Sequence, residues 1–260
     1  MRSSRSAPPD PTPGKPVAPW LCDTPYAHRG LHGPGAVENS RSAFAAAIAA
    51  GVGPFGAARS ANVGIELDVR LSRDGLAVVF HDAALERLTT ASGPVAGKTL
   101  VELCRLELGG TDDRIESLVG VLAFVAGRAP LLIELKTDGD AHLAARLSLA
   151  VRHALEGCRG RAAVMSFDPA VSAWFARHAP RIPRGLVVGE TRGPRAKLRR
   201  LLNLRAAKPH FLACDVRALP DWTIRRLRAR GMLVLAWTVR VADGDPFVVR
   251  HADQIIYERA

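Results

Sequence analysis

Leu131-Leu132-Ile133-Glu134-Leu135, the run from Asp140 to Glu156, and Ala163-Val164-Met165-Ser166 follow one another with little chain between them. The outer two are short aliphatic runs of strand length, and the middle one is long enough only for a helix. Strand, helix and strand in that order make a parallel pair with the helix crossing one face. The same alternation continues in both directions. Upstream lie the segment entering His28, Gly64–Val69 and Ala77–Phe80. Downstream lie Gly185–Val188, Phe211–Cys214, Leu233–Trp237 and Gln254–Ile256. Helices are expected from the N-cap Ser40 through Phe44, Ala47 and Ile48 to Gly51, and over Glu116–Ala126, Pro169–His178, Pro194–Ala207 and Asp221–Arg230. Gly127 and Gly231 stand where C-terminal caps belong. About eight such units close into a TIM (β/α)8 barrel. The strand candidates exceed the staves by one. The Ser72-Arg73-Asp74-Gly75 turn therefore predicts a hairpin joining the second and third, one of them an extension.

Length and composition allow this fold. The chain has 260 residues, 48% of them apolar and 23% charged, which suffices for a large core without disulfide or structural metal. No run approaches ~18 uninterrupted apolar residues, so a membrane-spanning helix is not expected. Residues 1–19 hold six prolines and no apolar signal core, and read as a disordered or loosely attached lead-in to one domain over 20–260. Cys22, Cys104, Cys158 and Cys214 form no CxxC pair, which suits reduced thiols in a cytoplasmic protein. Thirty-six basic against twenty-five acidic residues leave +11, a bias toward anionic partners. Nucleic acid is disfavoured, because aromatics make up only 5% and do not interleave with the basic run from Arg184 to Lys208. Within that run Arg195, Lys197, Arg199 and Arg200 oppose Leu198, Leu201 and Leu202. The pattern fits an outer-ring helix with its leucines on the sheet, with peripheral membrane contact as the alternative.

The chemistry-bearing residues collect at the C-terminal ends of the expected strands, where a barrel carries its site. His28-Arg29-Gly30 places a histidine beside a bidentate anion binder and a permissive glycine. In Ile65-Glu66-Leu67-Asp68-Val69 the two carboxylates share one strand face and the aliphatic side chains the other. Such a buried pair requires either salt bridges or a hard divalent cation, Mg²⁺ or Ca²⁺. Val78-Val79-Phe80 ends in His81-Asp82, and Leu131–Leu135 places Glu134 and Lys136 on one face. Glu134 would complete a Glu/Asp/Glu cradle, with Lys136 as a point charge for a phosphate oxygen.

Together with Glu38-Asn39-Ser40, Ser166-Phe167-Asp168 and Trp237-Thr238-Val239, these motifs resemble the signature of glycerophosphodiester phosphodiesterases, from about Tyr26 to Glu258. The resemblance implies a TIM barrel with a small insertion after the His-Asp motif, about residues 85–115, forming part of a cap. It implies metal-dependent hydrolysis of glycerophosphodiesters to glycerol 3-phosphate and an alcohol. Carried over by position, Glu66, Asp68 and Glu134 would bind the metal, and His28 and His81 would exchange protons. Arg29 and Lys136 would hold the phosphate, and Trp237 would line the pocket near the glycerol. Lysophospholipase D activity on the same scaffold and a barrel that binds phosphodiesters or acidic lipid without turnover are the rivals. The chain departs from the family pattern at Val37, in a longer segment over 53–62, at Arg240, and at Gln254-Ile255-Ile256-Tyr257-Glu258. His32 is expected on a solvent-exposed loop, and His142, His153, His178, His210 and His251 have no role in the pattern. Head group, native metal, nucleophile and oligomeric state are not legible.

Overall fold

The alternation closes on itself in the computed structural model, which describes residues 17–50, 63–190, 193–241 and 246–259. The elements in chain order are β1 (Tyr26–Ala27), α1 (Arg41–Ala49), β2 (Gly64–Leu71), β3 (Ala77–Val79), α2 (Leu100–Leu103), β4 (Glu116–Ser117), α3 (Leu118–Val125), β5 (Leu131–Leu135) and α4 (Ala141–Leu155). They continue with β6 (Ala162–Ser166), α5 (Pro169–His178), β7 (Arg184–Val188), α6 (Pro194–Ala207), β8 (Phe211–Asp215), α7 (Trp222–Arg228), β9 (Leu233–Val241), α8 (Pro246–His251) and β10 (Gln254–Arg259). Strands β1, β2, β5, β6, β7, β8, β9 and β10 pair in parallel, and β10 returns to β1. That is a closed TIM (β/α)8 barrel. The segment over 53–62 and most of the lead-in over 1–19 fall outside the described residues.

Strand β3 is the extension. It pairs antiparallel with β2 across the Ser72–Gly75 turn, with Val69 opposite Val79 and Leu71 opposite Ala77. Strand β4 adds to its outer edge and was not foreseen. Helix α3 therefore begins at Leu118 rather than Glu116: residues 116–117 are spent on the strand, and the Ser117 hydroxyl accepts the Gly120 N–H as a cap. Residues Leu85–Ile115 fold over this edge. Leu85, Val95, Leu103, Leu108 and Ile115 bury themselves with Val78 and Phe80 in a small cluster of their own.

Caps start several helices where the sequence places them. Ser40 accepts the Ala43 N–H, Asp140 accepts those of His142 and Leu143, and Asp168 accepts that of Ala170 ahead of Pro169. Alternation along the strands separates two cores. Ile65, Leu67, Val69, Leu131, Ile133 and Leu135 face the helices. Tyr26, Leu132, Ala163, Met165, Val187, Phe211, Ala213, Leu235 and Ile256 fill the barrel interior, with Leu21 of the N-terminal segment joining them. Ascending β2 and β5, this apolar interior gives way to Glu66, Asp68 and Glu134 on the same inward face, with Asp68 beside Glu134 in register.

Helix α6 reverses the sequence expectation. Leu198, Leu201 and Leu202 are 58%, 48% and 59% exposed, whereas Arg200 is only 6% exposed. Arg200 turns inward because Nη2 meets Asp221 Oδ2 at 2.6 Å, and that aspartate also caps α7 by accepting the Thr223 and Ile224 N–H groups. A buried guanidinium with a partner is tolerated, and losing the partner would leave it stranded. The helix is thereby fixed with its leucines in solvent.

Inside the barrel, Gly185 lies under the Phe211 ring, and a Cβ built there would sit 2.4 Å from a ring carbon. Gly185→Ala is expected to destabilise the protein by about 1–3 kcal/mol through overpacking. Urea unfolding that shows no loss would refute this account of the interior.

Candidate active site

The inward carboxylates define the site. Glu66 and Asp68 of β2 and Glu134 of β5 are all buried, and each offers an oxygen within 4.8 Å of the others. Each meets a different environment. Asp68 Oδ2 accepts from Asn39 Nδ2 at 2.9 Å and lies 3.3 Å from Arg29 Nε, while Lys136 Nζ approaches Oδ1 at 3.0 Å. Burial opposes its charge, but Lys136 and Arg29 prevail and lower its pKa to about 2. Glu66 Oε2 accepts the Arg29 backbone N–H at 2.9 Å, while Oε1 is buried without a donor. Burial and the neighbouring Asp68 charge push its pKa up to about 8. Glu134 is also pushed up by burial, against the Lys136 ammonium 2.5 Å from its Oε1. That ammonium is itself held above the usual lysine range: burial opposes it, but Asp68 and Glu134 outweigh burial.

The first loop wraps this cluster. His28, Arg29 and Gly30 follow β1. Gly30 takes φ +79°, and an added Cβ would stand 2.8 Å from the Ala43 side chain of α1, so only glycine fits. Arg29 Nη1 bonds Glu38 Oε1 at 2.8 Å, and the Asn39 carbonyl Oδ1 accepts the Asp68 N–H at 3.1 Å. The Glu38-Asn39 pair is thus a brace between loop and strand. His28 Nε2 stands 4.0 Å from Glu66 Oε2, and its other nitrogen, Nδ1, lies 2.6 Å from Glu258 Oε1 of β10.

His81 follows β3, with Nδ1 2.6 Å from Asp82 Oδ1. Arg70 of β2 donates to the His81 carbonyl at 2.7 Å and pairs with Asp138. Arg87, from the segment after the His-Asp motif, reaches back to both Asp82 and Glu38. The two histidines are tuned in opposite directions. Burial opposes the charge of each. At His28 the hydrogen bond to Glu258 and the charges of Glu66 and Asp68 overcome burial and raise the pKa. At His81 burial prevails over Asp68 and Asp82, and the pKa falls below the ordinary value.

Trp237, on β9, donates Nε1–H to the Ala213 carbonyl at 2.9 Å and meets the Phe167 ring edge-on, centroids 5.5 Å apart. Lys136 Nζ lies over the same Phe167 ring, 5.9 Å from its centroid. All eight residues named from the sequence therefore lie in one connected group at the strand ends. A cavity of about 380 Å³ beside them is lined by Glu134, Lys136, Thr137, Asp138, Phe167 and Asp168. Sequence reasoning assigned no role to Glu258, Asp82, Arg87 or Phe167. Glu258 carried a signal as a departure from the family ending, but its partner is 230 positions away and only barrel closure joins them. His32 corrects an expectation: it is half-buried with Nε2 shielded from solvent and no partner for that atom, because the loop folds back on α1. Burial lowers its pKa.

Comparison with known proteins follows the same residues. The chain matches the glycerophosphoryl diester phosphodiesterase family over residues 28–256. It is 31% identical over 202 residues to a probable glycerophosphodiester phosphodiesterase 1 of Mycobacterium tuberculosis, covering 68% of this chain and 71% of that one. Its fold superposes with a TM-score of 0.74 and 22% identity on an Oleispira antarctica phosphodiesterase in complex with the product sn-glycerol-3-phosphate, over 90% of this chain and 92% of that one. A glycerophosphoryl diester phosphodiesterase structure from Silicibacter pomeroyi gives 0.71 and 25% identity, over 89% and 88%.

If Glu258 is what raises the His28 pKa, Glu258→Gln removes the charge and lowers it. Ring-proton NMR titration of the metal-free protein checks this, and an unchanged midpoint would assign the effect to Glu66 and Asp68 alone.

Proposed function

The chain belongs to the glycerophosphoryl diester phosphodiesterase family, and on that premise we propose that it hydrolyses small glycerophosphodiesters to glycerol 3-phosphate and an alcohol with the help of a divalent cation. One observation carries this reading: three buried carboxylates from neighbouring strands converge between two histidines that are tuned in opposite directions. The donor set fits a hard cation. All ligand atoms are oxygens, and Glu66 Oε1 is buried without a donor. Glu66, Asp68 and Glu134 would hold Mg²⁺ or Ca²⁺, which when bound supplies a positive charge that neutralises the phosphate and the charge developing on its oxygens.

The chain's own groups do the rest. Arg29 and Lys136 carry fixed positive charge beside the cluster and serve to orient the phosphate, Arg29 with its planar fork and Lys136 as a point charge. His81, whose pKa is depressed, is neutral at physiological pH and suited to take a proton from the attacking oxygen through Nε2 while Asp82 holds Nδ1. His28, whose pKa is raised, is the readier of the two to carry a proton and is suited to give it from Nε2 to the leaving alkoxide, with Glu258 beside Nδ1 stabilising the charge until transfer. The opposite directions of the two shifts support this division between base and acid. The Phe167–Trp237 wall supplies an apolar surface for the carbon backbone of the glycerol.

The segment after the His-Asp motif supports the small-diester reading over lysophospholipids. Its apolar residues Leu85, Val95, Leu103 and Leu108 are consumed in their own cluster. The cavity on its surface is small and of mixed character, with Arg87, Thr89, Thr90, Arg105 and Glu107 set among Leu88 and Leu106.

Release of glycerol 3-phosphate from glycerophosphocholine and glycerophosphoethanolamine is expected with Mg²⁺ or Ca²⁺ and not with EDTA. His28→Ala should cost on the order of 10²–10⁴-fold in rate. No turnover with any divalent ion would sink the proposal. Metal binding should also release protons. Metal-free Glu66, with a pKa near 8, is largely protonated at neutral pH, so Mg²⁺ displaces about one proton. Calorimetry in buffers of different ionisation enthalpy measures that release, and Glu66→Gln should abolish it.

A further inference from the structure

Helix α6 is inverted relative to an ordinary barrel helix, and the inversion leaves a face with no partner among the described residues. Arg200 points inward to Asp221. Leu198 and Leu202, four residues apart, occupy the opposite side, flanked by Leu201. Arg195, Lys197, Arg199 and Arg205 are exposed around them, and the helix contains no acidic residue. Trp222 follows Asp221 directly at the start of α7; it is 63% exposed and lies beneath the Arg226 guanidinium at 5.2 Å. Both helices begin shortly after β7 and β8 end, so the N-terminal part of this face lies toward the end of the barrel that holds the site. A cavity of about 390 Å³ lined by Phe167, Val188, Arg199 and Asn203 lies between α6 and the site, and Phe167 separates it from Lys136.

We propose that the outward face of α6, with Trp222 at its edge, docks the protein on a bilayer bearing anionic phospholipid. The chemistry selects this occupant. Leucines at the centre of a ring of arginine and lysine match an interface that is apolar a few ångströms down and negatively charged above. Tryptophan beside them suits the headgroup level. A second copy of the chain is a poor fit, since an isologous contact would bring two sets of basic residues together without an acid to answer them. A polynucleotide leaves the leucines unsatisfied and finds no stacking platform along the helix. Among the described residues no helix is long and apolar enough to cross a membrane, so docking would be on the surface only.

The test is co-sedimentation of the full chain with vesicles of phosphatidylcholine alone and of phosphatidylcholine mixed with phosphatidylglycerol. Binding is expected to the mixed vesicles and not to the neutral ones. Each basic side chain near an anionic surface is worth about 1 kcal/mol, so R195Q/K197Q/R205Q should weaken binding by about a hundredfold. L198S/L202S should weaken it by about tenfold or more while leaving the circular dichroism spectrum unchanged. Sedimentation is read from the pellet, so the result is independent of whether the phosphodiesterase reading holds. Absence of binding to the mixed vesicles overturns the proposal. So does binding that L198S/L202S leaves intact, which would be charge attraction without docking. A dimer that dissociates in L198S/L202S, or displacement of the protein by a polynucleotide that these leucines also bind, would give the face to another occupant.

Discussion

Three carboxylates buried side by side in the middle of a parallel barrel are the constraint around which the rest of the site is arranged. Bringing Glu66, Asp68 and Glu134 within 4.8 Å of one another costs desolvation and mutual repulsion that the apolar interior below them does nothing to relieve. The protein meets that cost unequally. Asp68 receives Arg29, Asn39 and Lys136, which hold its pKa low, while Glu66 receives one backbone N–H and its pKa is pushed up. The cluster still retains a Glu66 oxygen that no donor reaches. An arrangement made only of salt bridges has no reason to leave that oxygen bare.

The same constraint explains the braces outside the barrel wall. Arg29 can lie against Asp68 only if its loop is held down, which Gly30 permits by close approach to α1 and Glu38 secures. Glu38 is in turn shared with Arg87, which also holds Asp82, the residue that orients His81. One arginine from the segment after the His-Asp motif thus ties the two histidine-bearing loops together. Its substitution would disturb both at once.

Much of this was legible in the residues. Period-two alternation alone puts Glu66 with Asp68 and Glu134 with Lys136, and strand order brings the two pairs adjacent. The hairpin at Ser72–Gly75 followed from turn chemistry and removed the surplus strand. What stayed hidden depends on contacts that only closure creates. The His28–Glu258 pair joins the first strand to the last, and no local pattern near His28 announces it. Likewise β4 is two residues long and exists because β3 offers an unpaired edge, so periodicity has nothing to detect.

Helix α6 shows why amphipathic patterning can be read in register and still be assigned the wrong side. Leu198, Leu201 and Leu202 and the basic residues do occupy separate faces, but hydrophobicity decides which face turns inward only when nothing on the other face has a stronger claim. Here Arg200 meets Asp221, a carboxylate that already caps the next helix and cannot move to solvent without uncapping it. The ion pair and the cap are satisfied together, the small residue Ala207 fills the contact with the sheet beside Arg200, and the leucines are left outside. A buried charge pair anchored at a helix start therefore sets the rotation of its neighbour, and the apolar side it turns outward becomes available for a partner.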